Sequence, residues 1–306
     1  HYLHRRQRQM CIRDSHCRLF NIGGEGQAYI GGLGVFLVAI NFSFLPVPIV
    51  WLLSIAGAVV FGAAWAFIPA YLQATRGSHV VITTIMFNFI AASLMVFLLV
   101  DVIRDTAQMG PHTVALPKEQ WFPSFKDFAG LFGIKIRYSP LNISFLLAIL
   151  ASVFVWFLVW KTRWGYEMRA VGHNTQAAIY AGISPYKNII IAMCISGGLA
   201  GLLGVNEILG VHHKIVAGFP AGYGFTGIAV ALMGRNHPIG IFPAAFLFGI
   251  LYQGGSEVTF DMPNITRYMF VAVQGVIILF SGALENLFRP QIESFFVNRL
   301  NIKASA

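Results

Sequence analysis

Asn21-Ile22-Gly23-Gly24-Glu25-Gly26-Gln27 runs without a break into the apolar stretch Ala28–Ile40. A carboxylate, two amides and a cluster of glycines therefore stand at the mouth of a segment greasy enough for a bilayer. A polar group at that depth is costly and persists where it faces a water-filled path or a protein partner. Glycines let backbones approach closely and let a helix begin inside the membrane. A second stretch of this kind, Gly224–Gly240, lies far downstream. The pair points to a pathway through the membrane rather than to an anchor.

Composition agrees. Charged residues make up 11% of the 306 and hydrophobic ones 57%, whereas soluble domains carry roughly 25% charge. So few charges cannot cover a soluble surface of this size. The net charge of +9 comes partly from the first 18 residues and otherwise from the ends of apolar runs, which suits lipid headgroups and cytoplasmic loops. No basic patch interleaved with aromatics is present, so a nucleic-acid partner is not expected. Cys11, Cys17 and Cys194 share no metal-ligand spacing, and Cys194 reads as a small buried hydrophobe.

Residues 1–19 are expected to be non-native or disordered. They hold no apolar core of a signal peptide, and Gln9-Met10-Cys11-Ile12-Arg13-Asp14-Ser15 resembles translated sequencing-adaptor read-through. The transmembrane domain is expected over 20–306, with spans lost from its N-terminal side.

A spanning helix needs ~20 mostly apolar residues. Pro48–Leu72, Val80–Val100, Leu141–Trp160, Ile189–Gly210 and Ile265–Leu284 meet that requirement. Ala28–Phe44 is shorter and glycine-rich. Gly224–Met233 and Ile239–Gln253 are separated by Arg235-Asn236-His237-Pro238, a break in any helix. The expectation is an all-α, polytopic bundle of about seven or eight membrane segments, some of them short or broken half-helices. Arg104–Pro140 is too polar to span. Lys161–Asn188 carries Lys161, Arg163, Arg169 and Lys187 against Glu167, which assigns it to the cytoplasmic side.

Within that loop, Thr175–Ala181 reads as a short helix begun by Asn174 as its N-cap and stopped at Gly182. An exposed helix of small residues can seat in a groove of a soluble partner; an ordinary interfacial loop would read the same way. Asn21, Glu25, Gln27, Asn88, Arg235 and Asn236 are the candidates for substrate pathway or gating. Pairing of Glu25 with Arg235 would make both structural instead. Asn88 lies mid-span, where an Asn commonly bridges helices. Glu207 and Glu257 are candidate vestibule carboxylates, and Trp65, Phe67, Phe87 and Phe89 candidate stacking rings.

Four motifs in order carry a resemblance. NIGGEGQAYIGGL at 21–33, TTIMFNFIA at 83–91, MRAVGHNTQAAIYAGI at 168–183 and GFTGIAVALMGRNHPIGI at 224–241 resemble the permease subunits of bacterial ABC importers for simple sugars and nucleosides. These belong to the branched-chain amino acid and ribose permease superfamily. The resemblance implies a bacterial plasma-membrane protein that forms half of a translocation pathway for a nucleoside or simple sugar. It implies partner ATPase subunits, a second permease that is a paralogue, and an extracytoplasmic substrate-binding protein on the Arg104–Pro140 side. Glu167, Arg169, Gly172, Asn174, Ala177, Ala178 and Gly182 become the segment that couples to the ATPase.

No Walker lysine motif, HExxH, CxxC or GxSxG is present, and His212-His213 lacks two further ligands for a metal. No catalytic residue, cofactor or metal is expected. The competing reading is a secondary transporter or channel without an ATPase, which would need ionisable residues in mid-span; the central spans are nearly free of them.

Overall fold

Three helices cross where they have almost no side chains. In a computed structural model describing residues 19–106, 110–125, 141–262, 269–277 and 279–280, α1 (Gly24–Asn41), α2 (Val47–Arg76) and α7 (Pro185–Val205) pack on one another through small residues. On α2, Ser54, Ala58, Gly62, Ala66 and Ala70 recur every fourth residue and all are buried. On α7, Gly197 and Gly201 fall at the same spacing. A Cβ on Gly201 would strike the carbonyl of Ala58, and one on Gly62 would strike the carbonyl of Gly197. Lipid tails supply no hydrophobic drive between helices, so close backbone packing provides much of the association. The glycines cost each helix about 0.5–1 kcal/mol apiece against Ala, and this contact is where the cost is offset.

The remaining helices, in chain order, are α3 (Val80–Phe97), α4 (Ser144–Lys161), α5 (Arg163–His173), α6 (Thr175–Tyr180), α8 (Tyr223–Met233) and α9 (Pro238–Asp261). Two helices end in widened turns. α3 continues as a π-helical turn over Leu98–Val102 and α7 over Asn206–Val211, with Ile103 N–H donating to Leu98 O at 2.8 Å and His212 N–H to Glu207 O at 2.7 Å. Among the described residues, five helices are long and apolar enough to cross a membrane: Val47–Arg76, Val80–Val102, Ser144–Lys161, Pro185–Val211 and Pro238–Phe260. α1, at 18 residues as long as Ser144–Lys161, stays outside this set because its first turn is polar and glycine-rich, and α8 has only 11 residues, as the broken segment anticipated from Gly224–Met233 requires. The chain is a polytopic helical bundle. Ile265–Leu284, expected as a further span, falls partly outside the described residues, as does all of 1–18.

The chain divides into two units, His1–Thr226 and Gly227–Ala306. In the first, α7 with its π turn is 27 residues long, or about 40 Å at 1.5 Å per residue, enough to pass through a hydrocarbon layer of about 30 Å. At its N-terminal end Ala70, Val80 and Met193 form one small core. At the other end Val35, Val50, Met95, Leu99, Ile208 and Ile215 form a larger one.

That larger core is roofed by 110–125, part of the segment assigned to a polar loop. Thr113 N–H donates to Ile215 O at 3.1 Å, Leu116 N–H to His213 O at 2.8 Å and Phe122 N–H to Leu209 O at 2.8 Å. Trp51 Nε1 donates to Gln120 O at 2.8 Å. Leu116 and Phe122 are buried. Sequence polarity hid this cap, because its two apolar anchors are separated by charged, outward residues.

In the second unit, α8 closes through N–H bonds from Gly234, Arg235 and Asn236 to the carbonyls of Val230, Leu232 and Ala231. Arg235 and Asn236 both adopt left-handed backbone, with φ of 54° and 52°. α9 then starts with Pro238 as a first-turn residue and His237 Nδ1 accepting from Ile239 N–H at 3.3 Å.

Candidate functional site

Helix α1 does not begin at a membrane surface. Asn21 Nδ2 donates to Ser196 Oγ at 2.9 Å, and Ser196 stands near the midpoint of the Pro185–Val211 span. Gly26 N–H donates to Asn88 Oδ1 at 2.9 Å, and Asn88 is central in Val80–Val102. Residues 21–23 are therefore non-helical backbone within the bundle, which a bilayer tolerates only where protein satisfies its polar groups.

The polar side chains supply that satisfaction. Asn88 Nδ2 donates to Ile22 O at 2.8 Å, so one amide serves a carbonyl before the helix and an orphan N–H inside its first turn. Asn21 Oδ1 accepts from Gly23 N–H at 2.9 Å. Asn21 and Gln27 bond each other twice, Nδ2 to Oε1 at 2.9 Å and Nε2 to Oδ1 at 3.2 Å. Gln27 is 1% exposed.

Glu25 faces differently. One carboxylate oxygen accepts from Gly222 N–H and the other from Gly224 N–H, both at 2.8 Å. These donors open α8, so Glu25 caps a helix almost two hundred residues away. The structure thus brings Asn21, Glu25, Gln27 and Asn88 together at mid-depth. Arg235 and Asn236 lie in the other unit, at the turn that follows α8.

Sequence reasoning missed Ser196 and Gly222. Ser196 was legible as a hydroxyl in an apolar run. Gly224 opens a motif that was read, with Gly222 just before it, but nothing in sequence ties their N–H groups to Glu25.

The aromatic candidates divide. Trp65 Nε1 donates to Phe87 O at 3.3 Å and their rings meet edge to face at 5.5 Å, whereas Phe67 and Phe89 are exposed on the outer apolar surface. Glu207 is buried at the cap end of α7, where Asn206 Nδ2 donates to it at 3.0 Å and His212 Nε2 lies 3.5 Å away. Glu257 on α9 is exposed and accepts from Gln253 Nε2 at 3.0 Å. No group of three or more His, Cys, Asp or Glu suited to a metal exists among the described residues.

The loop after α4 forms two helices at the opposite end of α7 from the cap. Thr162 Oγ1 accepts from Gly165 N–H at 3.2 Å and begins α5. Asn174 Oδ1 accepts from Gln176 N–H at 3.0 Å and Ala177 N–H at 3.2 Å, beginning α6, as its position as N-cap requires. Gly182, at φ 77°, ends it, with Ile183 N–H donating to Ala178 O at 2.9 Å. Glu167 is held by Arg163 Nε at 3.0 Å and Asn188 Nδ2 at 3.5 Å, which ties α5 to the start of α7.

Burial sorts the coupling candidates. Gly172 and Ala178 are buried against their own chain, Glu167 and Arg169 are half-buried, and Asn174, Ala177 and Gly182 are exposed. The free face of α6 also holds Gln176, Ile179 and Tyr180, the last 91% exposed. Their shared face follows from helical spacing, but which face turns outward is set by Ala178 packing inward.

Residues 16–282 match the family described as branched-chain amino acid transport system / permease component. A guanosine ABC transporter permease protein of Bacillus subtilis is 36% identical over 270 residues, covering 86% of this chain and 73% of that protein. A nucleoside ABC transporter permease protein of Lactococcus lactis is 36% identical, over 83% of this chain and 70% of that one. A glucose ABC transporter permease protein of Haloferax volcanii is 34% identical, over 92% of this chain and 74% of that one. No solved structure matches the chain.

Proposed function

Because the chain belongs to the branched-chain amino acid transport permease family and is a permease subunit of an ABC importer, we propose that it forms half of the translocation pathway for a nucleoside or simple sugar. It is a transport component, not an enzyme. Permeases of this kind work with ATPase subunits and a substrate-binding protein. For this chain, the proposed setting is the bacterial plasma membrane, with two ATPases below, a binding protein above and a paralogous permease beside it.

The observation that carries the reading is the mid-depth start of α1, where half-helix ends and polar side chains meet inside a bundle. The relatives named for guanosine, nucleosides and glucose support a neutral, hydroxyl-bearing substrate. Asn21, Gln27 and Asn88 are assigned to gating rather than to direct substrate contact. Their amides are already bonded within the protein, so they set where α1 begins. Arg235 and Asn236 are assigned the corresponding role at the α8–α9 break.

The coupling segment is α5–α6. Glu167, Gly172 and Ala178 hold it to the bundle, while Arg169, Asn174, Gln176, Ala177, Ile179, Tyr180 and Gly182 present a face to the ATPase. A rigid contact is needed because ATPase closure must move the permease as a body.

Co-purification with the partner ATPase tests this. Ala177→Arg and Tyr180→Ala are expected to abolish recovery of the ATPase while the permease itself is obtained in normal yield. ATP-dependent uptake of guanosine and of glucose by the reconstituted complex then separates the substrates. Uptake that proceeds without ATPase would overturn the importer mechanism in favour of a secondary transporter.

A further inference from the structure

Two helix N-termini meet at the mid-depth site. α1 begins at Gly24 and α8 at Tyr223, and a Cβ on Gly24 would lie 3.7 Å from both Cα and O of Gly224. A helix N-terminus carries roughly half a positive charge and, before any capping, N–H groups with no partner in the helix. Transporters with broken helices turn such ends toward the anionic groups of their substrates. Convergence of two of them would make a strong anion site in a low-dielectric setting.

The site is already filled by the protein itself. Glu25 lies in the first turn of α1, and its two oxygens take the N–H groups of Gly222 and Gly224 at 2.8 Å each. Left-handed backbone at Gly218, Ala221 and Gly222, with φ of 78°, 48° and 82°, folds the turn that aims these donors at the carboxylate. Gly224 lies so close to the backbone nitrogen of Glu25 that no Cβ fits. The neighbouring Asn21, Gln27 and Asn88 are neutral and are bonded to one another, to Ser196 or to backbone, so none supplies a compensating negative charge.

We propose that Glu25 is the resident anion of this junction, holding the first turn of α8 in place and denying its N–H groups to anionic solutes, so that the pathway admits neutral ones. The positioning part stands on geometry alone. The selectivity part rests on the importer reading and deepens it, since nucleosides and sugars are neutral whereas nucleotides and sugar phosphates are not.

The test uses the permease with its ATPase partners in lipid nanodiscs and proteoliposomes. Glu25→Ala leaves the N–H groups bare beside a small space. Its thermal midpoint is expected to fall, and acetate or formate at ionic strength matched with chloride is expected to restore much of the loss. Neither anion should move the midpoint of wild type or of Glu25→Gln, whose amide fills the space without charge. In uptake, inorganic phosphate is expected to inhibit Glu25→Ala several-fold more strongly than wild type. Glu25→Gln should assemble normally yet lose most of its transport rate.

Equal midpoints in acetate and chloride for Glu25→Ala would overturn the positioning part, and equal phosphate inhibition would overturn the selectivity part. If Glu25→Ala does not fold, Glu25→Gln decides: transport like that of wild type sinks the proposal, and loss of rate with normal assembly sustains it. The midpoints involve no substrate, so they remain informative if wild-type uptake proves independent of ATPase.

Discussion

Single residues in this protein act through what they prevent or complete. Gly201 has room for nothing larger, since the nearest neighbour of an added Cβ is the Ala58 carbonyl, which cannot move without its helix. Gly201→Ala is therefore expected to destabilise by about 1–3 kcal/mol. Gly249→Ala on α9, where nothing lies within 4 Å, should be neutral or stabilise by up to about 1 kcal/mol through helix propensity. Thermal unfolding in one detergent compares the two, and equal effects would refute the close-packing account. Asn88→Leu removes the partners of Ile22 O and Gly26 N–H together. At about 1–3 kcal/mol for each buried group left unsatisfied, it should lower the midpoint more than Asn41→Leu, whose single bond to Leu37 O is exposed.

Elements carry the next level of dependence. α6 has six residues, too few to persist alone, so its shape rests on the Asn174 cap, the Gly182 stop and the inward contact of Ala178. Asn174→Ala should cost about 1 kcal/mol of helix stability and weaken ATPase recovery, with Asn174→Asp restoring it; hydrogen exchange at Gln176 and Ala177 reads the local effect. The cap over α7 predicts a pH response. Trp121 stacks face to face on His213 at 3.7 Å. Burial lowers both histidines from 6.5, with Lys214 adding to the effect at His212; at His213 a backbone bond to Leu209 opposes it and His212 adds a little. The unfolded chain thus binds their protons more readily, so cap stability is full above the ordinary value near 6.5 and declines as pH falls below it. Trp121 fluorescence followed downward from neutral pH should report loosening in wild type and less of it in His213→Gln. The exposure of His212 keeps its share small.

For the whole molecule, the ends of α7 define orientation. Residues 112–122 bond to one end, around 209–216, and Glu167 meets Asn188 at the other. With the α5–α6 end placed in the cytoplasm, a cysteine at Lys118 should react with an impermeant maleimide on intact cells, and one at Tyr180 only after permeabilisation, in a background lacking the native cysteines. The reverse pattern would invert the topology and move the ATPase contact to the cap.

Membrane character, the polytopic helical bundle, the broken helices and the family were legible in the sequence, because each is a local property. Long apolar runs, a Pro or Gly at a break, and Asn174 with Gly182 around a short helix act within a few residues of themselves. The gathering of Asn21, Glu25, Gln27 and Asn88 was legible only as a suspicion, since polar groups in apolar runs announce cost but not partners. Which partner each took was decided by the fold. Asn88 reached back to the start of α1 because α3 lies alongside it, and Glu25 reached Gly222 and Gly224 because a left-handed turn over 218–222 aims their N–H groups at it. The roof of 110–125 and the inward face of α6 were likewise set by packing. Sequence fixes which groups cannot be left unpaired in a bilayer; only the crossing of helices through bare glycine backbone decides what pairs with them.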